Sequence, residues 1–212
     1  MIRVKHPFKR LAREESGLAF LEFALAAPVL LLLILGGLEL ASYAMAQMRV
    51  NQIAMTVADN AGRVQTGIDE ANIYEVFAGA DVIGKAMDFK GDGRVILSSL
   101  QHNTHKDGNE GQMVNWQRCW GDLAVGSAYA EQGDGRNDSS LPAGMGQAGK
   151  EIYSLEGTAV MFVEVIYNYK PLVDTQFMVL KREIRHEAAF NVRERSNNDI
   201  TNTQGLAVNS CA

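Results

Sequence analysis

A chain of 212 residues, 47% of them apolar, has room for one domain or for one domain and an anchor. Its formal charge of −5 is unevenly spread: residues 1–17 hold Arg3, Lys5, Lys9, Arg10 and Arg13 against Glu14 and Glu15, a local +3 that leaves −8 on the rest. An acidic body of this kind excludes nucleic-acid binding, which needs a basic face.

The basic leader, residues 1–17, comes first in the chain, and an apolar run follows it. Lys and Arg placed just before an apolar segment stay on the cytoplasmic side, so the leader orients insertion and the residues beyond the run face outward. Phe23 to Leu38 are sixteen residues without a charge, and after Glu39 the stretch Leu40–Met48 is again largely apolar. A helix over 18–48 would be about 46 Å long, more than the roughly 30 Å of hydrocarbon in a bilayer. The surplus continues as helix. Val50, Ile53, Ala54, Val57, Ala61 and Val64 recur at spacings of three and four, with Gln52, Asp59, Asn60 and Arg63 free for the other side. One helix is therefore expected from the membrane to about Val64, its distal half packed on an outer domain of residues 65–212.

Three features punctuate that helix. Glu22 is a lone carboxylate near its start, where a charge is less costly than at mid-bilayer; there the cost reaches about 2.5–3.5 kcal/mol. An ionisable group in such a segment is a functional candidate, and its bland alternative is a side chain that snorkels to the headgroups. Pro28 removes one intrahelical hydrogen bond and loosens the helix near Ala24. Gly36-Gly37 permits close helix contact but forms no G-x-x-x-G. Three fates of the segment compete: an uncleaved signal anchor, a signal-peptidase cut after Ala44-Met45-Ala46, and a cytoplasmic cut after Gly17 that keeps the helix. The second sits badly with Glu39 just before the cut and with a periodicity that runs on to Val64.

Beyond Val64 the chain reads as mixed α and β. Ile73–Met87 has helical spacing, with Val76, Phe77, Ala80, Ile83 and Met87 on one side. Phe89–Gly93 is turn chemistry, Arg94–Gln101 a strand, and His102–Gln112 polar and turn-rich. Val114–Trp120 is a second strand with both tryptophans and Cys119, and Gly121–Gly149 is mainly loop. Thr158–Tyr169 and Gln176–Arg193 are strongly β in character. Pro171 ends the first of these and Leu172–Thr175 connects them, so they form a long antiparallel hairpin. In the second, Arg182, Arg185 and Glu187 alternate with Ile184 and His186, which leaves one face wetted. The fold class is α+β: a long N-terminal helix packed on a small antiparallel sheet.

Cys119 and Cys211 both fall in the outer domain, where a disulfide is permitted and only one pairing exists. Closing that loop contributes about 4–5 kcal/mol on the chain-entropy account, and the pair reads as a staple rather than a redox dithiol, which would sit close together in sequence. No catalytic residue, metal site or cofactor emerges. His102 and His105 make an H-x-x-H pair in loop surroundings without a third ligand. Asp88, Asp92 and the segment Gly133–Asp138 lack the spaced acids of a calcium loop. Gly144–Gly149 spells G-x-G-x-x-G without a preceding strand. No G-x-S-x-G, phosphate-binding loop or H-E-x-x-H is present.

The stretch Gly17-Leu18-Ala19-Phe20-Leu21-Glu22-Phe23 is similar to a prepilin-peptidase site of the Flp type: glycine before the cut, glutamate fifth after it, then an aromatic residue. The wider segment, Glu15-Ser16-Gly17 through Pro28 to Gly36-Gly37-Leu38-Glu39, resembles the TadE-like family of tight-adherence (Flp) pilus assembly proteins. Val163–Leu172 and Ala188–Arg193 are similar to strands of TadE-like outer domains. Phe23 stands where the family's major pilin has tyrosine. The resemblance implies a pseudopilin or minor pilin with a single pass through the bacterial inner membrane, N-terminus cytoplasmic and C-terminal domain outside. It also implies a processing site of Gly17, Leu18, Glu22 and Phe23. Its expected partners are a prepilin peptidase, other Tad/Flp pilus components and pilin-type helices.

Overall fold

The computed structural model describes residues 16–103, 110–172, 182–193, 195 and 197–211. It divides into two compact units, Met1–Tyr43 with Pro171–Val179, and Ala44–Lys170 with Leu180–Ala212. Helix α1, Ser16–Arg63, contributes to both, and Pro28 is the one proline within it. In the first unit most of its apolar side chains lie open, with Leu18, Phe20, Leu25 and Leu33 all more than half exposed. In the second unit Val50, Ile53, Ala54, Val57, Ala58 and Ala61 are fully buried, as the spacing of three and four requires of one face against a core.

After α1 come β1 (Ile68–Asp69), α2 (Glu70–Gly84), a 3₁₀ turn (Lys85–Met87), α3 (Phe89–Asp92), β2 (Gly93–Asn103) and β3 (Gly111–Trp120). Strands β4 (Ala159–Asn168), β5 (Glu183–Asn191) and β6 (Ile200–Thr201) complete the chain. Helix α2 begins three residues before its apolar pattern because Asp69 caps it. The Asp69 carboxylate accepts from the Ala71 N–H at 3.1 Å, and the Asn72 side chain returns a bond to the Asp69 N–H at 3.0 Å. The segment read as a turn, Phe89–Gly93, is instead a one-turn helix. It is entered through Asp88 at φ 51°, and Phe89 is fully buried.

β2, β3, β4 and β5 form one antiparallel sheet in the order β3-β2-β4-β5. Strand β2 runs through His102 and Asn103, and β3 starts at Gly111, so both ends of the expected polar turn belong to strands. Its middle lies outside the described residues, as do residues 176–181 of the last predicted strand. β1 and β6 make a two-residue parallel pair that no sequence pattern announced.

The sheet is covered on both faces. On one, α1 and α2 pack over Val95, Leu97, Trp116, Val163, Val165 and Ile184. Gln47 of α1 meets His186 of β5 at 2.7 Å, and the Arg193 N–H donates to the Gly62 carbonyl at 3.1 Å. The Arg195 guanidinium adds bonds to the Ala61 and Val64 carbonyls at 2.8 and 2.9 Å at the same helix end. On the other face residues 121–149 bury Ala130, Leu141 and Met145 against Leu100, Val114, Val160 and Phe162. This corrects the wetted face expected for β5. Arg185 and Glu187 sit under that segment, Arg185 on the buried Glu164 at 3.1 Å and Glu187 accepting from the Tyr129 hydroxyl.

Candidate processing and anchoring segment

Gly17 is the second residue of α1, exposed, with nothing within 4 Å of where a side chain would stand. Leu18, Phe20, Leu21 and Phe23 are each more than half exposed, and Glu22 beside them is exposed too. Leu18 and Glu22 are four apart, so they share a helix face about 6 Å along the axis. Among the described residues no hydrogen bond or ion pair engages Glu22. Residues 1–15 of the leader lie outside the described residues. From Gly17 the helix is long and apolar enough to cross a membrane: its most apolar stretch has a mean hydropathy of 2.6 and none of it is buried. An open apolar surface of that length is unstable in water and stable in hydrocarbon, since each side chain left wet forgoes about 1.5–3 kcal/mol.

The apolar stretch ends at a second carboxylate, which sequence reasoning used to disfavour a signal-peptidase cut and as the end of the family-like segment. Glu39 is 1% exposed and accepts from the Leu172 N–H at 2.8 Å. The β4–β5 connection is thus joined to α1 through a residue whose purpose its neighbours in sequence do not reveal.

In the outer domain the predicted cysteine pair is formed: Cys119 and Cys211 are disulfide-bonded, with Cα atoms 4.9 Å apart across 92 residues. The bond lays the C-terminal segment along the outer edge of β3. The Cys119 N–H donates to the Asn209 carbonyl at 2.8 Å, and Arg94 reaches both the Cys211 and the Gly121 carbonyls at 3.0 and 3.2 Å. Gly121, at φ 103°, turns the chain out of β3, where a Cβ would meet the Gly93 carbonyl at 2.2 Å.

The other candidates come apart. His102 is near the end of β2 with its Nδ1 buried and unpartnered among the described residues, while His105 lies outside them. The G-x-G-x-x-G run is a tight turn closed by paired Met145 and Ile152; Gly144, at φ 111°, has the Ile152 carbonyl 2.0 Å from where its Cβ would be. No group of three His, Cys, Asp or Glu side chains gathers among the described residues.

Two buried ionic contacts went unseen in the sequence. Glu70, at the first position of α2, takes both Nε and Nη2 of Arg118 on one oxygen, at 2.8 and 2.5 Å, and the pair is buried under the helices. Glu164, fully buried in β4, accepts from the Ser127 hydroxyl, the Ala128 N–H and Arg185. Desolvation outweighs those three bonds and holds its carboxyl above the ordinary value. Only the unlike residue in an otherwise apolar strand, V-M-F-V-E-V-I, signalled it.

Compared with known proteins, residues 17–59 match the family model described as TadE-like protein, and the sheet lies outside that match. No curated protein and no solved structure matches the chain. The segment running from the glycine of the expected cut to near the end of the buried face of α1 is TadE-like in sequence.

Proposed function

We propose that this chain is a pseudopilin or minor pilin of a tight-adherence pilus system, cut after Gly17 by a prepilin peptidase and retained in the inner membrane by α1. One observation carries the reading: the TadE-like match begins at Gly17, the second residue of an exposed apolar helix and five residues before its first carboxylate. The leader stays inside, the helix remains in the bilayer, and residues 65–212 act outside. A cut at Gly17 would leave the new Leu18 amine one helical turn from Glu22. The carboxylate would then offset a charge that is otherwise costly in lipid, on its own or a neighbouring helix. The role is assembly by contact, without catalysis, and its partners are the peptidase and the other Tad/Flp components.

N-terminal sequencing of the membrane-bound protein tests this directly. Leu18 as first residue is expected; Met1 would mean an uncleaved signal anchor carrying a structural or binding domain, and Gln47 a secreted domain. Gly17→Ala and Glu22→Ala should impair processing or piliation while the outer domain still folds. Normal cleavage and piliation in both variants would overturn the proposal.

A further inference from the structure

The two borders of the sheet are treated differently. Along β3 the outward backbone is taken up: Gln112 N–H donates to Leu141, Val114 N–H to Asp134, and Cys119 N–H to Asn209. Along β5 it is not. Tyr169 N–H donates to the Arg182 carbonyl and Val192 N–H to the Ala159 carbonyl, with unbroken antiparallel register between them. Backbone direction alternates along a strand, so Ile184, His186, Ala188 and Phe190 turn their groups toward β4. Glu183, Arg185, Glu187, Ala189 and Asn191 therefore turn theirs out of the sheet, and among the described residues no backbone group bonds them. A bare border of this length is a template for another strand. Beside it runs a groove of about 400 Å³ lined by Gly146, Lys150, Ile152, Phe162, Arg185 and Ala189.

The charges on that border say what fits. Glu183, Arg185 and Glu187 lie on one face as minus, plus, minus, Arg185 already 3.7 Å from Glu183 and 3.1 Å from the buried Glu164 and Glu187 holding the Tyr129 hydroxyl, with Lys150 among the groove's lining residues. An added strand stabilises this only by setting plus, minus, plus opposite them. A second copy is a poor occupant. Gln47 lies beside His186 and Gly62 beside Phe190, so α1 and β5 run in the same sense. Two copies joined antiparallel through β5 would carry their helices in opposite senses, whereas chains inserted in one membrane carry them alike (this step rests on the anchored reading above). An antiparallel pairing of β5 to the β3 border of a like-oriented copy is blocked by the segments already bonded there.

We infer that β5 is a docking edge that binds an extended segment of another protein by strand addition, the segment carrying a basic-x-acidic-x-basic pattern. Its backbone bonds the outward groups of residues 183–191, and alternate side chains enter the groove beside Lys150 and Ile152.

The test uses the full chain in detergent micelles and a synthetic peptide, Thr-Lys-Val-Glu-Val-Lys-Thr, with its charge-swapped twin Thr-Glu-Val-Lys-Val-Glu-Thr. Amide exchange at Glu183, Arg185, Glu187 and Ala189 should slow with the first peptide and less with the second. Ala189→Pro removes one outward N–H without touching the β4 ladder, so it should weaken binding about tenfold and leave the unfolding midpoint unchanged. Glu183→Lys, which folds whatever Ala189→Pro does, should weaken the lysine-flanked peptide about fivefold. Unaltered exchange at those amides, or equal binding of both peptides, overturns the inference. So does slow exchange there in a peptide-free dimer, which would give the edge to a second copy. None of these readings depends on which N-terminus sequencing finds.

Discussion

Arg118 holds a carboxylate inside the protein that has no water to turn to. Its Nη1 also bonds the Gln117 carbonyl and Gln132, so one side chain ties α2, β3 and the 121–149 segment together. Arg118→Ala leaves Glu70 buried and unpaired and should lower stability by about 3–5 kcal/mol in denaturant titration. Replacing both partners together, Glu70→Gln with Arg118→Met, should recover part of that loss, because no bare charge remains. Sequence reasoning missed this pair because Glu70 and Arg118 are 48 residues apart and each looks like an ordinary surface residue. Glu22 stands out in the sequence for the opposite reason: a charge inside an apolar run contrasts with its immediate neighbours.

Elements were legible where one face alone decides burial. The spacing of Val50, Ile53, Ala54, Val57 and Ala61 named the buried side of α1, and the run Ala159–Tyr167, apolar but for Glu164, marked the strand β4. Short elements were not legible. β1 and β6 exist because Asp69, already committed as helix cap, also accepts from the Thr201 hydroxyl and the Thr203 N–H at 2.8 Å. Those bonds, the Thr203 N–H foremost, hold its carboxyl down to about 2. Its depressed value means that its contribution is present above pH 3.8 and disappears as pH falls toward 2. Asp69→Asn should therefore remove part of the acid limb of the stability profile and loosen residues 200–203, seen as faster amide exchange. The wet face predicted for β5 is partly covered because the segment read as mainly loop packs against it. Its Ala130, Leu141 and Met145 made it a lid, and Tyr129 packs edge-on to Phe162 with ring centres 5.7 Å apart.

For the whole molecule, pH should act from both ends of the scale. Glu164 is held above the usual carboxylate range by desolvation, so it favours the fold while protonated and that contribution is lost as pH rises from about 4.5 through its folded value. Tyr129, pushed up to about 12 by desolvation and by its bond to Glu187, loses its contribution as pH climbs from 10 toward 12. Thermal unfolding followed across pH should show both declines, and Glu164→Gln should flatten the first while leaving the second. Cys211→Ser, or reduction, should lower stability by about 4 kcal/mol or less and free the C-terminal segment from β3. The long apolar helix and the α+β class were readable at this scale because length and apolar patterning suffice for them. How the sheet's borders are guarded was not, because that depends on backbone groups which side-chain patterns never display.

The 92-residue span between the two cysteines also sets a clock. Chains emerge from the ribosome N-terminus first, at about 5–20 residues per second, so β3 waits roughly 5–18 seconds for the segment that shields it. Throughout that interval the nascent molecule exposes a sticky flank, and chaperones or oxidoreductases have their one opportunity to keep it from its neighbours.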